Sequence, residues 1–344
     1  MKVALLGGSF DPIHKAHIQM AVAAKSQLHV DEVWFVPAKD TPLKERTLSN
    51  YESRLRMCEL AIHNYRHFKI CTIEKTMSGK SYTIHTIRKL KEQYPDIEFY
   101  FLIGNDQVKQ LKDWYLVEEL VKEVSIAAFA RNGEITTSEY PIHYLAMNAM
   151  VESSTAVRNG AFYYLPCAVR NYVLQKGLYF SFLETVMSAY RYRHSVSVAK
   201  LCVEIAQSQG LDIHKAWLCG MLHDINKEFR IIDEKEAKII LREMKPELLA
   251  YPKGVWHGFI GSFICSHRLG IKDQDIIIAI ENHVLGECRN RYAMLLYACD
   301  KLDPLRDYDT SIGISLCKKN LYEGYRYVVK EQDKYYGEES ARGK

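Results

Sequence analysis

The chain has 344 residues, of which 48% are hydrophobic and 26% are charged, and its formal net charge at pH 7 is +4. Two domains are expected at this length, because single hydrophobic cores rarely grow beyond about 250–300 residues. The small net charge and the lack of a lysine- or arginine-rich block argue against nucleic-acid binding. Apolar runs are all shorter than the roughly 20 residues that a membrane span requires, so no membrane partner is expected.

The nine cysteines are scattered along the chain without a CxxC pair. An odd number without such spacing is typical of reduced thiols rather than of a disulfide framework. We see no signal-peptide pattern ahead of the first apolar segment. The sequence therefore predicts a cytoplasmic protein, and it leaves open whether the protein forms a homo-oligomer.

From Met1 to about Tyr179, short apolar strands alternate with amphipathic helices. Strands are predicted at residues 3–6, 32–36, 70–73, 98–103 and 124–130. Helices are predicted at residues 18–28, from Asn50 or Ser53 onward, and at residues 81–90. Continuously apolar strands separated by helices indicate an α/β doubly wound parallel sheet of the Rossmann-like kind, covered on both faces. Ligands bind at the carboxyl ends of such strands.

The most informative stretch runs from residue 7 to residue 17, directly after the first predicted strand. Gly7 and Gly8 allow the backbone to turn tightly and to approach a ligand closely. His14 and His17 are three residues apart, so we expect them on one face at the start of a helix. A glycine turn between a strand and a helix predicts a phosphate site, and two imidazoles beside it favour phosphoryl chemistry.

This stretch resembles the HxGH motif of the nucleotidyltransferase superfamily and, within it, bacterial nicotinate-nucleotide adenylyltransferase. Further segments resemble motifs of that family in the same order: Pro-Leu-Lys at 42–44, Ser-Tyr-Thr at 81–83, Gly-Asn-Asp at 104–106, Trp-Tyr at 114–115 and Ser-Ser-Thr-Ala-Val-Arg at 153–158. The resemblance covers residues 1–179. It implies adenylyl transfer from ATP to nicotinate mononucleotide, which gives nicotinate adenine dinucleotide and pyrophosphate in NAD biosynthesis.

Adenylyl transfer needs no protein nucleophile, because the phosphate of the mononucleotide itself attacks the α-phosphate of ATP. The protein must align two polyanions and stabilise charge on the pentacoordinate phosphorus. The predicted catalytic donors are His14, His17, Lys44 and Arg158. Mg²⁺ is expected with ATP because it neutralises charge on the triphosphate.

The other predicted nucleotide contacts of this domain are Gly7, Gly8, Ser9, Phe10, Thr83, Gly104, Asp106, Trp114, Tyr115, Ser153, Ser154 and Thr155. By resemblance, Thr83, Trp114 and Tyr115 hold the nicotinate ring and its carboxylate, while Asp106 serves the nucleotide side. Residues 153–155 are expected to open a helix and to offer hydroxyl and backbone donors to the β- and γ-phosphates.

Two residues depart from the family pattern. Ala16 stands where the family has glycine, and we expect its methyl group to weaken adenosine binding at most modestly. Glu152 stands where an apolar residue usually precedes the two serines. An adenylyltransferase for another substrate, such as pantetheine phosphate, is the alternative, and residues 81–83 and 114–115 argue against it. Taken alone, Trp114 would be a packing residue and Lys44 a solvated loop residue.

After Gly177, helical periodicity replaces the strand signals and continues to about Val329. We therefore predict an adenylyltransferase domain at residues 1–180, an all-α domain at residues 181–330 and a frayed polar tail at residues 331–344. Helix signals in this half include Asp233 as an N-cap and Gly210 as a helix stop.

The helical half contains the adjacent pair His223-Asp224. Further polar side chains lie on the apolar face of their own predicted helices, and these are His194, His257, His283 and Asp300. A buried carboxylate is costly unless it is paired or ligated. Any one of these histidines alone would be a hydrogen-bonded core residue, but the six residues together predict a metal centre.

The order of these residues resembles HD-domain phosphohydrolases. Residues 256–261 and the segment with Asp300, Asp303 and Arg306 are similar to the YqeK-type HD domain, a symmetrical dinucleoside-tetraphosphate hydrolase. The resemblance covers residues 183–330. It implies two transition-metal ions, with iron expected first and manganese as the alternative, because imidazole and carboxylate ligands do not identify the ion.

The reaction implied for the second domain is hydrolysis of dinucleoside polyphosphates, such as diadenosine tetraphosphate to two ADP. Asp224 is the expected bridging and catalytic ligand, and Lys227 and Arg306 are the expected phosphate contacts. Residues 284–286 are less polar than in the family, so a different nucleotide stays open as the substrate. The other alternative is a non-catalytic, metal-stabilised module that regulates the first domain. The whole chain is thus predicted to be a bifunctional enzyme.

Overall fold

A computed structural model of the chain describes residues 1–39, 48–77, 79, 81–131, 135–148, 150–286 and 289–342. The chain divides into two compact units. The first contains Met1–Asn159 and Tyr164–Val173, and the second contains Gly160–Tyr163 and Leu174–Lys344. None of the helices in this described part combines the length and the apolar composition that crossing a bilayer demands.

The first unit is built on a sheet in which the described strands are all parallel and lie in the order β3-β2-β1-β4-β5-β6. The strands are β1 (Lys2–Gly8), β2 (Glu32–Pro37), β3 (Phe68–Ile70), β4 (Glu98–Gly104), β5 (Ser125–Arg131) and β6 (Ile142–Met147). Leu5 of β1 pairs with Trp34 of β2 on one side and with Phe101 of β4 on the other. The strand order reverses between β1 and β4, which is where a doubly wound sheet binds ligands.

Helices alternate with these strands, and two further helices follow the last strand. They are α1 (Lys15–Gln27), α2 (Tyr51–Ile62), α3 (Thr83–Gln93), α4 (Asn105–Val108), α5 (Val117–Glu123), α6 (Ser154–Arg158) and α7 (Cys167–Lys176). On α3, Ile84, Ile87 and Leu90 are fully buried in the core beside the sheet. Full burial of such a side chain contributes about 1.5–3 kcal/mol, so the helical spacing of these residues fixes which face of α3 packs inward.

The predicted doubly wound sheet is confirmed, with two corrections. The predicted strand at 70–73 is wrong in part, because Ile70 ends β3 and Ile73 begins a 3₁₀ helix, Ile73–Thr76. Strand β6 was not predicted. Along β6 only Leu145 is fully buried, since the strand lies at the edge of the sheet, and it therefore lacks the continuous apolar run of the central strands.

The second unit is helical throughout its described secondary structure, as predicted. After α7, its helices are α8 (Leu183–Val186), α9 (Ala189–Ser208), α10 (Ile213–Leu222), α11 (Glu234–Met244), α12 (Lys253–His267), α13 (Gln274–Asn282), α14 (Arg291–Lys301), α15 (Ser311–Lys319) and α16 (Leu321–Arg342). Helix α16 runs through most of the predicted polar tail at 331–344, up to Arg342. Polar residues can prolong a helix through pairs one turn apart, and Lys334 bonds Glu331 at 2.6 Å.

Three predicted helix ends are confirmed. The side chain of Asn50 caps α2 by accepting a bond from the Ser53 N–H at 2.7 Å. Asp233 caps α11 in the same way, bonding the Glu236 N–H at 2.8 Å. Gly210 follows α9 with φ +62°, a left-handed conformation in which glycine avoids the strain of a side chain.

Close packing of α9 on α10 positions the polar residues of the second unit. A Cβ added to Gly220 of α10 would overlap the backbone of Ala199 on α9. The absence of a side chain at residue 220 therefore lets the two helix backbones approach each other. His194 on α9 and His223 directly after α10 consequently lie side by side, with ring centroids 5.2 Å apart.

Candidate active sites

A cavity of about 1060 Å³ opens in the first unit where the strand order reverses. The predicted residues that line it are Gly7, Gly8, Ser9, Phe10, His14, His17, Thr83, Gly104, Asp106, Trp114, Tyr115, Ser153 and Ser154. The two departures from the family pattern, Ala16 and Glu152, line it as well. The sheet topology thus brings together motifs that are more than a hundred residues apart.

Two strand ends form the floor of this cavity, and each has a glycine with little free space beside it. A Cβ at Gly7 would come within 3.0 Å of the Phe101 ring on β4. A Cβ at Gly104 would overlap a carboxylate oxygen of Asp106. The backbone at these positions is therefore open to a ligand, and the Asp106 carboxylate can fold back toward the end of β4.

His14 and His17 stand at the start of α1, as predicted. His14 is the N-cap residue, its N–H donates to His17 Nδ1 at 3.2 Å, and the ring centroids are 3.8 Å apart. Since His17 Nδ1 accepts, the neutral His17 ring carries its proton on Nε2. Burial lowers the pKa of His14 to about 4, so this ring is uncharged at neutral pH. Both residues can thus act as hydrogen-bond donors in the cavity.

Helix α6 is fastened to the loop that contains His14. Ser154 Oγ donates to the Pro12 carbonyl at 2.9 Å, and Arg158 donates to the Asp11 carbonyl at 2.7 Å. Arg158 also donates to Thr155 Oγ1 at 2.9 Å. Neither Thr155 nor Arg158 lines the cavity, so the structure places these two predicted site residues outside its wall.

One predicted catalytic residue cannot be placed. Lys44, with the rest of the Pro-Leu-Lys segment, lies outside the described residues.

The aromatic residues of the motifs form one side of the cavity. Trp114 meets Phe101 edge to face at a centroid distance of 6.0 Å and packs against the core. Tyr115 is half exposed and lies 4.7 Å from the ring of Tyr82. Trp114 therefore has a packing role and also faces the cavity, while Tyr115 offers an open ring face.

In the second unit, the six predicted metal ligands converge. The Nε2 atoms of His194 and His223 are 3.3 Å apart, and those of His257 and His283 are 3.0 Å apart. Asp224 lies between the two pairs, with Oδ1 3.1 Å from His257 Nε2 and Oδ2 3.7 Å from His223 Nε2.

Two groups of three side chains could each hold a metal ion, and both contain Asp224. One group is His194, His223 and Asp224, and the other is Asp224, His257 and His283. Asp300 joins the first group, since its Oδ1 is 3.0 Å from His194 Nε2.

The second nitrogen of each ring is held by an acceptor. Nδ1 of His223, His257 and His283 bonds the backbone carbonyls of Gly220, Gly254 and Ile280 at 2.7–2.8 Å. A carbonyl only accepts, so each Nδ1 carries the proton and each Nε2 presents a lone pair. Lone pairs 3.0 Å apart repel unless a cation lies between them. The arrangement fits a metal ion, whose nitrogen ligands at about 2.1 Å are about 3 Å apart at right angles.

The charges of most of these residues also suit a cation, and His194 must first lose its proton. Burial lowers the pKa of His223 and of His257 to about 4, which keeps both imidazoles neutral. Although burial opposes it, the facing histidines hold the pKa of Asp224 well below its usual range. Burial acts against protonation of His194, yet bonds to Asp300 and Asp303 raise its pKa to about 9. Neutral imidazoles and ionised carboxylates are the forms that ligate metals.

Each half of the chain matches a model of a known family. Residues 5–160 match the cytidylyltransferase-like family, and residues 191–305 match the HD domain. The second unit therefore contains an HD domain, and this implies binding of divalent metal by His and Asp groups of the kind described above.

A probable nicotinate-nucleotide adenylyltransferase from Shouchella clausii is 37% identical over 185 residues, which make up 52% of this chain and 96% of that protein. The chain belongs to the nicotinate-nucleotide adenylyltransferase family. A relative in Mycoplasma genitalium, named as a probable nicotinate-nucleotide adenylyltransferase/Ap4A hydrolase, is 28% identical over 344 residues, 96% of this chain and 97% of that protein. Similarity to a fused protein thus extends beyond the adenylyltransferase unit.

Among solved structures, the nicotinic acid mononucleotide adenylyltransferase of Plasmodium falciparum complexed with NaAD is 23% identical to this chain. The match has a TM-score of 0.45 and covers 52% of this chain and 97% of that chain.

In the adenylyltransferase unit, sequence reasoning missed Glu74, a buried carboxylate in the cavity wall. It accepts the Lys39 N–H at 3.2 Å and the Thr86 hydroxyl at 2.9 Å. Thr86 comes one turn after Thr83 on α3, and that spacing could have drawn attention to it. Glu74 itself has no such signal, because it lies in the 3₁₀ segment that the sequence pattern assigned in part to a strand.

In the HD unit, sequence reasoning missed three residues as members of the site. Asp303 accepts from His194 Nδ1 at 2.6 Å, Arg191 contacts Asp224 at 3.0 Å, and the Lys301 ammonium contacts Asp300. Asp303 is three residues after Asp300, and Arg191 is three residues before His194. Both could have been found from the helical spacing to a predicted ligand.

Proposed function

We propose that this chain is a bifunctional enzyme. The first unit transfers the adenylyl group of ATP to nicotinate mononucleotide, and the second hydrolyses dinucleoside polyphosphates with the aid of metal ions. One observation carries the proposal. The motif residues for adenylyl transfer converge in the first unit and those for hydrolysis converge in the second, and a fused relative matches 96% of the chain.

In the first reaction, an oxygen of the nicotinate mononucleotide phosphate attacks the α-phosphorus of ATP and pyrophosphate leaves. His14 and His17 donate hydrogen bonds to the phosphoryl oxygens, where charge grows in the transition state. The open backbone at Gly7 and Gly8 admits the triphosphate, and Ser153 and Ser154 in the cavity wall serve its outer phosphates. Mg²⁺ bound with ATP neutralises part of the triphosphate charge.

The remaining roles in the first unit follow the family resemblance. Thr83, Trp114 and Tyr115 hold the nicotinate ring, and Asp106 serves the nucleotide side together with Ser9, Phe10 and Gly104. Lys44 is kept as a catalytic donor. Arg158, which bonds the Asp11 carbonyl, supports the His14 loop in addition to any contact with phosphate. Its role is therefore partly positional.

In the second reaction, water adds across a bridging P–O bond, and diadenosine tetraphosphate gives two ADP. Two ions, proposed to be iron or manganese, would supply Lewis-acid activation of the phosphate and of the water. His194, His223 and Asp300 would hold one ion and His257 and His283 the other, and Asp224 belongs to both groups of ligands. Asp303 orients His194 through its Nδ1. Lys227 and Arg306 bind phosphate oxygens.

We place the limits of the two proposed domains near residue 180 and near residue 330. Helix α16 continues past residue 330 into the proposed polar tail. We place the protein in the cytoplasm, where free nucleotides occur and thiols stay reduced. The cysteines described in the structure are all free, which supports this proposal.

The test uses the full chain loaded with iron or manganese. We expect nicotinate mononucleotide and ATP to give nicotinate adenine dinucleotide, with lower turnover of nicotinamide mononucleotide and of pantetheine phosphate. We also expect diadenosine tetraphosphate to give only ADP. Chromatography of the nucleotides measures both reactions. Lack of turnover of nicotinate mononucleotide would overturn the first assignment, and metal-loaded protein that leaves every dinucleotide intact would reduce the second unit to a binding module.

Paired variants assign each reaction to its unit. His223→Ala should abolish hydrolysis and leave adenylyl transfer intact, and His17→Ala should do the opposite, each by about 100-fold or more, since catalytic donors and metal ligands are worth several kcal/mol. His267→Ala, in an exposed histidine on α12, is the matched control. Hydrolysis that survives His223→Ala would refute the metal site.

A further inference from the structure

Two arginines contact carboxylates of the metal centre in the second unit, and each has an exposed tyrosine one or two residues away in the sequence. The first is Arg191, whose guanidinium contacts Asp224 Oδ2 at 3.0 Å and lies 5.6 Å from the ring centroid of Tyr190. The Arg191 side chain is 31% exposed, against 5% for Asp224. Tyr190 is 55% exposed. We call Tyr190 and Arg191 the first arm.

The second arginine and tyrosine lie on a different segment. Arg306 contacts Asp300 Oδ1 at 3.3 Å and is 34% exposed, against 11% for Asp300. Tyr308 follows two residues later, is 52% exposed and donates its hydroxyl proton to the Lys301 carbonyl. That bond holds the ring in place while one face stays open to solvent. We call Arg306 and Tyr308 the second arm.

The two arms approach different parts of the centre. The first arm contacts Asp224, the carboxylate shared by both groups of ligands, and the second contacts Asp300, which joins only the group containing His194. Each arm has a guanidinium next to a metal-ligand carboxylate and a tyrosine that is more than half exposed. Arg306 Nε is buried and bonds no other described residue, so this guanidinium keeps donor capacity.

The guanidinium and the phenol ring of each arm suit the phosphates and the nucleobase of one half of a dinucleoside polyphosphate. Guanidinium groups bind phosphate oxygens in a fork geometry, and a tyrosine face stacks on a nucleobase. The carboxylates of Asp224 and Asp300 already offset part of the charge of two divalent ions, so guanidinium groups are suited to the remaining charge of a tetraphosphate. A site with two such arms can engage both nucleoside diphosphate halves, whereas a mononucleotide fills only one arm.

We propose that Tyr190 with Arg191 and Arg306 with Tyr308 are specificity-determining pairs, each of which binds one nucleoside diphosphate half of the substrate across the metal centre. The inference rests on the proposed hydrolysis of dinucleoside polyphosphates and adds the residues that select a substrate with two nucleosides. The four residues of the two arms are not among the six proposed metal ligands.

The test measures the KM and kcat of metal-loaded full-length protein for diadenosine tetraphosphate, and the inhibition constant of inorganic tripolyphosphate against that reaction. Tyr190→Leu and Tyr308→Leu should each raise KM about tenfold, with kcat within about twofold, because stacking stabilises bound substrate and transition state alike. Neither change should alter the inhibition constant of tripolyphosphate, which has no base. Arg191→Gln should weaken the binding of both diadenosine tetraphosphate and tripolyphosphate.

Conservative and remote variants separate recognition from folding. Tyr308→Phe keeps the ring and should retain most of the affinity, and Tyr322→Leu changes an exposed tyrosine on α16 and should have no effect. A binding readout comes from calorimetric titration with the analogue in which methylene replaces the central bridging oxygen. Only the second unit differs between the variants, so a difference in affinity between them reports on the arms. Metal content should be unchanged throughout.

Unchanged KM and unchanged analogue affinity in both tyrosine variants would overturn the two-arm inference while leaving the proposed hydrolysis intact. An equal loss of tripolyphosphate binding would also overturn it, because the rings would then act through the phosphate groups. Wild-type protein that cleaves no diadenosine tetraphosphate would overturn both proposals at once.

Discussion

His14 illustrates how one residue couples the fold to the chemistry of the first unit. Its ring is 6% exposed, and its Nδ1 has no hydrogen-bond partner among the described residues. A buried polar nitrogen without a partner costs free energy unless a ligand supplies one. A phosphoryl group in the adjoining cavity is the ligand that the proposed function provides.

The burial of His14 has a consequence for the pH dependence of stability. Its pKa is about 4 in the folded protein and 6.5 in the unfolded chain. The free energy of unfolding is therefore highest above pH 6.5 and falls as the pH is lowered toward 4, because the unfolded chain binds the proton at a higher pH than the folded protein does. We expect the first unit of the wild type to lose about 2 kcal/mol more than His14→Asn between about pH 7 and pH 5.

Urea unfolding followed by hydrogen exchange in β1 and β4 peptides measures this difference without interference from the second unit. His63→Asn, in a histidine exposed at the end of α2, is the matched control and should keep the pH dependence of the wild type. Equal losses in wild type and His14→Asn would show that His14 protonates freely in the folded protein.

Gly104 and Asp106 give a second prediction for a single residue. Gly104→Ala places a methyl group where an Asp106 oxygen now lies. The carboxylate is the free end of a flexible side chain, so it can swing away at little cost in stability. We expect an unchanged melting temperature and a loss in kcat/KM for ATP of about tenfold, comparable to Asp106→Asn. Full activity in Gly104→Ala together with a defective Asp106→Asn would contradict this account.

At the scale of elements, helix ends and helix faces were predictable and one edge strand was not. The caps Asn50 and Asp233 were found because capping uses neighbouring residues. The face of α3 was found because its burial repeats with the helical period. Strand β6 was missed because its pattern reflects a position at the edge of the sheet, which no local pattern records.

The contact between α9 and α10 leads to the third prediction. Gly220→Ala introduces a Cβ that overlaps the Ala199 backbone, and backbone cannot yield as a side chain does. The helices must separate, which we expect to destabilise the second unit by about 1–3 kcal/mol or more and to displace His223. Gly254→Ala is the matched control, since its Cβ would have nothing within 4 Å and alanine favours helix.

Thermal unfolding and metal content of Gly220→Ala and Gly254→Ala test whether the metal site depends on the close packing of α9 on α10. A Gly220→Ala protein that melts like the wild type and binds the same amount of metal would show that α9 and α10 do not depend on this close approach.

At the scale of the whole molecule, the two sites belong to separate compact units with different physical bases. The first is a cavity between strand ends, where the proposed donors His14 and His17 stand at the start of α1. The second is a cluster of imidazoles and carboxylates whose mutual repulsion a cation relieves. Removal of metal should therefore act on one unit only.

We expect a chelator to lower the stability of the second unit alone. A ligand that binds only the folded state stabilises it by about 2.7 kcal/mol at 100 times its dissociation constant, and this contribution disappears with the metal. Hydrogen exchange should quicken in α9, α10 and α13 and stay constant in β1 and β4. His223→Ala should respond weakly to the chelator. Faster exchange in the sheet would contradict the assignment of metal to the helical unit.

Local patterns were sufficient for the doubly wound sheet, the helical second unit, the glycine turn and the six converging ligands. Strand alternation, helical period and contiguous motifs depend on neighbouring residues, so they can be read along the chain. Three contacts are visible only in the folded chain. Asp224 belongs to two ligand groups, Arg191 contacts Asp224 although the two are 33 residues apart, and Arg158 bonds the Asp11 carbonyl. Those contacts depend on how closely helices approach and on strand order, which are properties of the assembled core.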